Sequence, residues 1–305
     1  MTEPAYATPA AFKQALEQRL RTAASLERVD LARRRQLLVF ERFLARVFAQ
    51  LGERVCLKGG LVLELRLERA RTTKDVDLRC IGDPDRIVEE RRAAGRLRLG
   101  DFMTFERAPH AQHPVIHNDG MKYDGLRLRA ECRLAGKLYG QPFGVDVAFG
   151  DPLTEPGDVI VPHDSLAFAS VPPPRFVVYP IETQIAEKLH AYTMPRGRPN
   201  TRVKDLPDIA LLATARELDA SRVRTALLRT FDYRATHSVP TVVPDAPAEW
   251  APVYAALARE DQLPWASLDE VLGAARAFLD PVLADDASGT WSPQSWSWSR
   301  DALSP

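Results

Sequence analysis

Two aspartates one residue apart, Asp75 and Asp77, stand shortly after a glycine pair, Gly59-Gly60. In a strand, residues i and i+2 point to the same face. The Asp-Val-Asp run therefore sets two carboxylates side by side and turns Val76 toward a core. Like charges at that spacing repel unless a cation lies between them. Magnesium, which favours carboxylate and phosphate oxygens, is the expected occupant. Gly59-Gly60 follows the apolar run Val55-Cys-Leu57 and opens an amphipathic segment, so it predicts a strand, a tight turn and a helix. Without Cβ atoms, such a turn lets backbone N–H groups approach a phosphate. Lys58, Gly59 and Gly60 are thus candidates for holding a nucleotide.

A third carboxylate, Asp146, sits in the apolar run Phe143-Gly-Val-Asp-Val-Ala-Phe149. An unpaired charge there is costly, and a metal or a neighbouring cation resolves the cost. Further on, Lys188 lies on the apolar helix pattern Ile185-Ala-Glu-Lys-Leu-His-Ala191 and reaches far enough to meet a triphosphate. Asp205 and Asp208 share a helix face at i, i+3. Asp205 has three candidate roles: capping its helix, orienting Lys188, or placing a nucleotide. Nucleotidyl transfer needs carboxylates for metal ions, a turn that admits a triphosphate, and a hydroxyl brought in line. The first two needs are met on paper, with Asp75, Asp77 and Asp146 as the metal candidates.

Each piece alone has a plainer reading. An isolated Asp-x-Asp is most often solvated, and a helical lysine most often snorkels. Asp205 alone reads as an N-cap. His110, His113 and His117 lie in a Pro- and Gln-containing stretch without cysteine, which favours a solvated loop over zinc. Arg91, Arg92, Arg96 and Arg98 fit RNA phosphates and a charged helix face equally well. What raises the acids above these readings is their combination and order along the chain.

The elements that must position these residues follow from periodicity. Apolar residues at three- and four-residue steps predict helices over 9–26 and 31–51, with Gly52 ending the second. Strands are expected at 54–57, 76–81, 101–106, 126–134 and 143–149. Asp83-Pro84 predicts an N-cap with proline at N1, and a charged helix to about Ala94. Residues 150–180, rich in Pro, Asp and Val, read as a connector with little regular structure. From Ile181 the pattern is helical: 181–193, about 204–216, 219–230, 247–260 and 267–283. The end of the chain is polar apart from Trp291, Trp296 and Trp298, whose rings either dock or lie on a mobile tail. The expected organisation is N-terminal helices (1–52), a core (53–150), the connector (151–180) and a helical C-terminal domain (181–305).

Composition sets outer limits. The 305 residues are 45% hydrophobic and 27% charged, enough for a real core. Lys and Arg together equal Asp and Glu at 41 each, so no global charge draws the chain to nucleic acid. Three scattered cysteines argue against a disulfide scaffold or a zinc ribbon. The start, Met-Thr-Glu-Pro-Ala-Tyr6, has neither a basic nor an apolar leader segment, and no apolar run approaches a membrane span. A cytoplasmic protein is expected.

The ordered series Leu57-Lys-Gly-Gly60, Arg71-Thr-Thr-Lys-Asp-Val-Asp77, Val145-Asp-Val147, Ala186-Glu-Lys-Leu-His-Ala191 and Arg202-Val-Lys-Asp-Leu-Pro-Asp208 resembles the AbiEii family of nucleotidyltransferase-like toxins, which includes the mycobacterial MenT toxins. The similarity runs over roughly residues 35–215. It implies an α+β fold: a DNA polymerase β-like nucleotidyltransferase core, a small mixed sheet with flanking helices, followed by a helical C-terminal domain. It also implies the toxin of a toxin–antitoxin pair, a magnesium-dependent transferase adding nucleotides to the 3′ end of tRNA, with an AbiEi-type or kinase-like antitoxin. On that resemblance Gly59 and Gly60 line the phosphates, Asp75 and Asp77 bind magnesium, and Lys188 contacts the triphosphate. Asp205 is the acid of the last motif, with Asp208 as a second candidate. Thr73 falls where relatives can carry a Ser or Thr phosphorylated by an antitoxin; otherwise it is an ordinary turn residue. Many relatives carry Gly-Ser where this chain has Gly59-Gly60. Pro207 must fall in the first turn of its helix, or it would break it. Two other functions use the same acids: transfer to a small molecule or a protein hydroxyl, and a non-catalytic nucleotide-binding module.

Overall fold

The computed structural model describes residues 5–27, 29–67, 72–109, 115–116, 125–149, 156–197 and 199–299. His110, His113 and His117 lie outside them.

Two helices lead in, α1 (Pro9–Glu27) and α2 (Leu31–Leu51). Asp30 caps α2 by accepting from the N–H of Arg33, and Gly52 ends it at φ 56°. Next come β1 (Val55–Lys58), α3 (Gly60–Arg66), β2 (Asp75–Cys80) and α4 (Pro84–Ala94). As expected, Asp83 caps α4 with proline at its first position. Five strands follow: β3 (Met103–Pro109), β4 (Val115–Ile116), β5 (Gly125–Leu134), β6 (Lys137–Leu138) and β7 (Phe143–Phe149).

The segment read as an irregular connector differs from expectation. It carries β8 (Asp158–Ile160) and β9 (Phe176–Val178), and β9 runs parallel to β1. Three-residue strands flanked by prolines leave too little periodicity to recognise. They extend the main sheet, whose order is β3-β5-β7-β2-β1-β9-β8, with β4 and β6 attached to β5. The centre of the sheet is mixed: β2 pairs β1 antiparallel and β7 parallel.

α1 and α2 cover the apolar face of the sheet. Phe40 and Phe43 of α2 meet Phe143 of β7 edge-on, with centroids 4.9 and 5.3 Å apart. Fully burying rings of this size contributes about 2–3 kcal/mol each relative to exposure. One polar element crosses this core: Arg42 and Arg46 of α2 both grip Asp101, and all three are buried. The paired arginines hold the Asp101 carboxyl below its usual value against the opposing effect of burial.

The remaining elements are α5 (Ile181–Thr193), α6 (Asp205–Thr214), β10 (Leu218–Asp219), α7 (Ala220–Arg234), α8 (Trp250–Glu260), α9 (Leu268–Leu283), β11 (Thr290–Ser292) and β12 (Ser297–Trp298). They build a second hydrophobic cluster, which Leu63 of α3 joins from the sheet side. The terminal tryptophans dock. β11 pairs with β10, and Trp291 is fully buried with its indole N–H donating to the Ala213 carbonyl at 2.9 Å. Trp296 and Trp298 donate to the carbonyls of Ala274 and Phe278 on α9. Among the described residues no helix is long and apolar enough to cross a membrane.

Candidate active site

The strand register lines up the chemistry. Lys58 of β1 lies opposite Asp77 of β2, Asp77 opposite Asp146 of β7, and Asp146 opposite Arg127 of β5. Directly opposed residues share a face. A row of plus, minus, minus, plus thus crosses four strands, with Asp75 and Gly144 in the adjacent row.

Two glycines make room for the two carboxylates of β2. Gly59 has φ 74°, a region that favours glycine, and a Cβ there would lie 2.0 Å from Asp77 Oδ2. A Cβ on Gly144 would lie 2.5 Å from Asp75 Oδ1. The glycine turn therefore serves the carboxylate as well as any phosphate. Asp75 is exposed and Asp77 partly buried. Desolvation in the cleft raises the Asp77 carboxyl to about 6; neighbouring Asp146 adds to the rise, while Lys58 and Lys188 oppose it. That opposition places both ammonium groups within electrostatic reach of Asp77.

Lys188 projects from α5 between the acids of α6. Its Nζ lies 2.6 Å from Asp208 Oδ2 and 3.2 Å from Asp205 Oδ1. Both acids are buried, and burial raises the carboxyl of Asp205. Asp205 opens α6 but makes no side-chain cap bond there; of its three candidate roles, the contacts are those of a group that orients Lys188. Pro207 falls in the first turn of α6, as the helix requires. Glu187, one residue before Lys188, receives Lys58 at 3.5 Å and Arg234 of α7 at 2.9 Å.

These groups face a cleft of about 460 Å³ lined by Lys58, Gly59, Gly60, Asp75, Asp77 and Lys188, among others. Seven lysine or arginine side chains line it against four carboxylates, although the whole chain is neutral. Such a local excess of positive charge attracts polyanions. Sequence reading assigned no role to Arg196, Arg202, Arg234 or Glu187, which become neighbours only when α5, α6 and α7 pack; Glu187 and Arg202 had a signal, their places in the motifs that hold Lys188 and Asp205. Asp146 and Asp208 stand back from this lining. Both oxygens of Asp146 accept from Arg127, at 2.7 and 2.6 Å, and this fork raises the arginine's pKa. The cation that an aspartate in an apolar strand demanded is thus supplied by the facing strand.

Other candidates resolve differently. Thr73 is buried on the cleft wall; its N–H donates to Glu64 at 2.6 Å, its carbonyl accepts from Arg33 at 2.8 Å, and Arg33 and Glu64 pair with each other. Arg91 is fully buried, which removes it from any phosphate-tracking face; Arg92, Arg96 and Arg98 stay exposed. His190 is buried against Phe231 and His237, and desolvation followed by the charge of Arg234 pulls its pKa down to about 3, so it stays neutral.

Among the described residues no three His, Cys, Asp or Glu side chains are grouped to hold a metal ion. Asp75 and Asp77 nonetheless suit magnesium, which is commonly bound through one or two carboxylates plus substrate phosphates. The glycine-cut space around both, and the raised Asp77 carboxyl, mark a place where added positive charge is favoured.

Comparison with known proteins gives the family and the fold. The sequence profile of the family described as nucleotidyl transferase AbiEii toxin, Type IV TA system, matches residues 42–289. No curated protein matches the chain. Among solved structures, MenT4, a nucleotidyltransferase toxin from Mycobacterium tuberculosis, superposes with a TM-score of 0.56 at 15% identity, covering 95% of this chain and 93% of its own. JHP933 from Helicobacter pylori is also 15% identical, over 82% of this chain and 94% of its own, with a TM-score of 0.44. The fold is the α+β nucleotidyltransferase fold, a mixed sheet flanked by helices. The chain belongs to the AbiEii family of nucleotidyl transferase toxins of toxin–antitoxin systems. Membership brings with it a nucleotide substrate and an antitoxin partner.

Proposed function

We propose that the chain is a magnesium-dependent toxin that transfers nucleotides to the 3′ end of tRNA and so blocks translation in the cytoplasm. The observation carrying this reading is the cleft itself: two same-facing carboxylates, a glycine turn and a lysine clamped by two buried acids, within a strongly basic lining. A basic approach favours a polyanionic acceptor over a small neutral molecule. Asp75 and Asp77 would hold magnesium, which supplies charge neutralisation on the phosphates. Lys58, Gly59, Gly60 and Lys188 would bind the nucleotide. Asp205 and Asp208 hold Lys188 in place, so that it offsets charge building on the leaving pyrophosphate. The acceptor's 3′ oxygen bonds to the α-phosphorus as the bond to the β-phosphate oxygen breaks. Pyrophosphate takes the electron pair, and the hydroxyl proton passes to Asp146, the acid nearest the pair that is free of nucleotide duties. The antitoxin, of AbiEi or kinase-like type, acts on this cleft or on the Thr73 turn at its wall.

The test is incubation of purified protein with deacylated tRNA, magnesium and each labelled nucleoside triphosphate in turn. Label at the tRNA 3′ end is expected, and Asp75→Ala is expected to abolish it while the protein stays folded. A protein that binds nucleotide yet labels no RNA with any of the four refutes the RNA-transfer reading.

A further inference from the structure

Arg127 and Asp146 stand at the far end of the charged row, outside the lining of the triphosphate cleft. Their fork is closed: Arg127 Nε and Nη2 donate to the two carboxylate oxygens at 2.7 and 2.6 Å. Yet the arginine side chain is 44% exposed against 19% for Asp146, so a phosphate arriving from solvent can reach the guanidinium and take over its fork. Guanidinium binds phosphate with the same two-pronged geometry it uses for carboxylate. Arg129, two residues along β5 and also exposed, extends the same face, opposite Gly144.

We propose that Arg127 is the docking residue for an acceptor phosphate, and that it is held in reserve by Asp146. When RNA arrives, the guanidinium exchanges carboxylate for phosphate, with Arg129 adding a second contact. The exchange does two things at once: it fixes the strand over the sheet, and it frees Asp146 to take the hydrogen of the acceptor hydroxyl. Without RNA, the acid stays neutralised and idle. This inference rests on the RNA-acceptor reading above and adds where the acceptor is gripped and why Asp146 is masked.

The test is binding of a 5′-fluorescein RNA minihelix with a single-stranded 3′ tail to the full chain, followed by anisotropy across a salt series. Arg127→Gln is expected to weaken binding and to lower the slope of log affinity against log salt by about one. Asp146→Asn, which removes the internal competitor, is expected to tighten RNA binding about fivefold while slowing transfer. A general loss of negative charge would also tighten binding, so the double variant decides: the gain from Asp146→Asn should vanish in the Arg127→Gln background. Nucleotide affinity, measured by calorimetry, should stay constant throughout. Should Arg127→Gln fail to fold, Arg127→Lys replaces it, since lysine keeps the charge but loses the fork. Unchanged RNA affinity in Asp146→Asn, or a gain that survives without Arg127, overturns the exchange alone. A wild-type protein that binds nucleotide but no RNA overturns both this inference and the acceptor reading.

Discussion

Asp77 and Gly59 form a pair in which neither residue can change alone. Adding a single methyl at Gly59 puts carbon 2.0 Å from a carboxylate oxygen, and the positive φ disfavours any side chain. Gly59→Ala should cost about 1–2 kcal/mol of stability from backbone strain, and should remove transfer activity by pushing Asp77 aside. Melting curves and the labelling assay read the two effects separately. Asp77 itself carries a prediction of opposite sign. Its carboxyl is raised in the folded protein, so ionisation opposes folding; stability is full below the ordinary carboxylate range and falls as pH climbs toward 6. In chelator, Asp77→Asn should therefore melt higher than wild type at pH 8, and the gap should close near pH 4. A variant that melts lower at pH 8 would mean the aspartate is stabilising the fold. The paired acids and the glycine turn were legible in the sequence, because alternation in a strand and the missing Cβ are local properties. The contact between Gly59 and Asp77 was not, since it depends on how β1 and β2 register.

At the scale of elements, α5 and α6 act as one device. Lys188 forms ion pairs with two buried carboxylates, and removing it breaks both pairs. Lys188→Ala should lower stability by about 3–5 kcal/mol, so a dead enzyme at that position does not by itself show contact with the triphosphate. Asp75→Ala is the contrast, because Asp75 is exposed and its loss should leave the melting temperature unchanged. Chemical denaturation of both variants checks this. The helices carrying these residues were readable nearly to their ends: α5 runs over the expected 181–193, and α6 starts one residue later than expected. Their amphipathic spacing repeats over several turns. β8 and β9 escaped because a three-residue strand has no period to detect, and their place in the sheet is set by β1, more than a hundred residues earlier in the chain.

At the scale of the molecule, two hydrophobic clusters meet along the cleft, and α3 belongs to both: Leu61 and Val62 pack with the sheet, and Leu63 with the helices. The buried, neutral His190 on the cleft wall gives the helical cluster an acid limit. Its pKa is about 3 when folded against about 6.5 when free, so the unfolded chain binds more protons in that window. Stability should fall as pH drops from 6.5 toward 3, and His190→Phe should flatten that part of the pH–melting profile. The tail belongs to the same cluster, since Trp291 fills the space between α6 and α9. Trp291→Ala should cost about 3–5 kcal/mol, measurable by denaturant titration. Sequence reading left these tryptophans between docking and mobility, because a short polar segment shows no partner until the helices around it are placed. The basic character of the cleft was hidden for a related reason. A chain with equal numbers of acids and bases shows no bias until folding sorts the charges in space.

The two cradled carboxylates also limit how this centre can drift over generations. A side chain at position 59 would meet Asp77, and one at position 144 would meet Asp75. Each acid and its glycine should be inherited as a unit. A distant homologue that had lost one glycine while keeping the facing acid would be expected to have moved the strand or abandoned the chemistry.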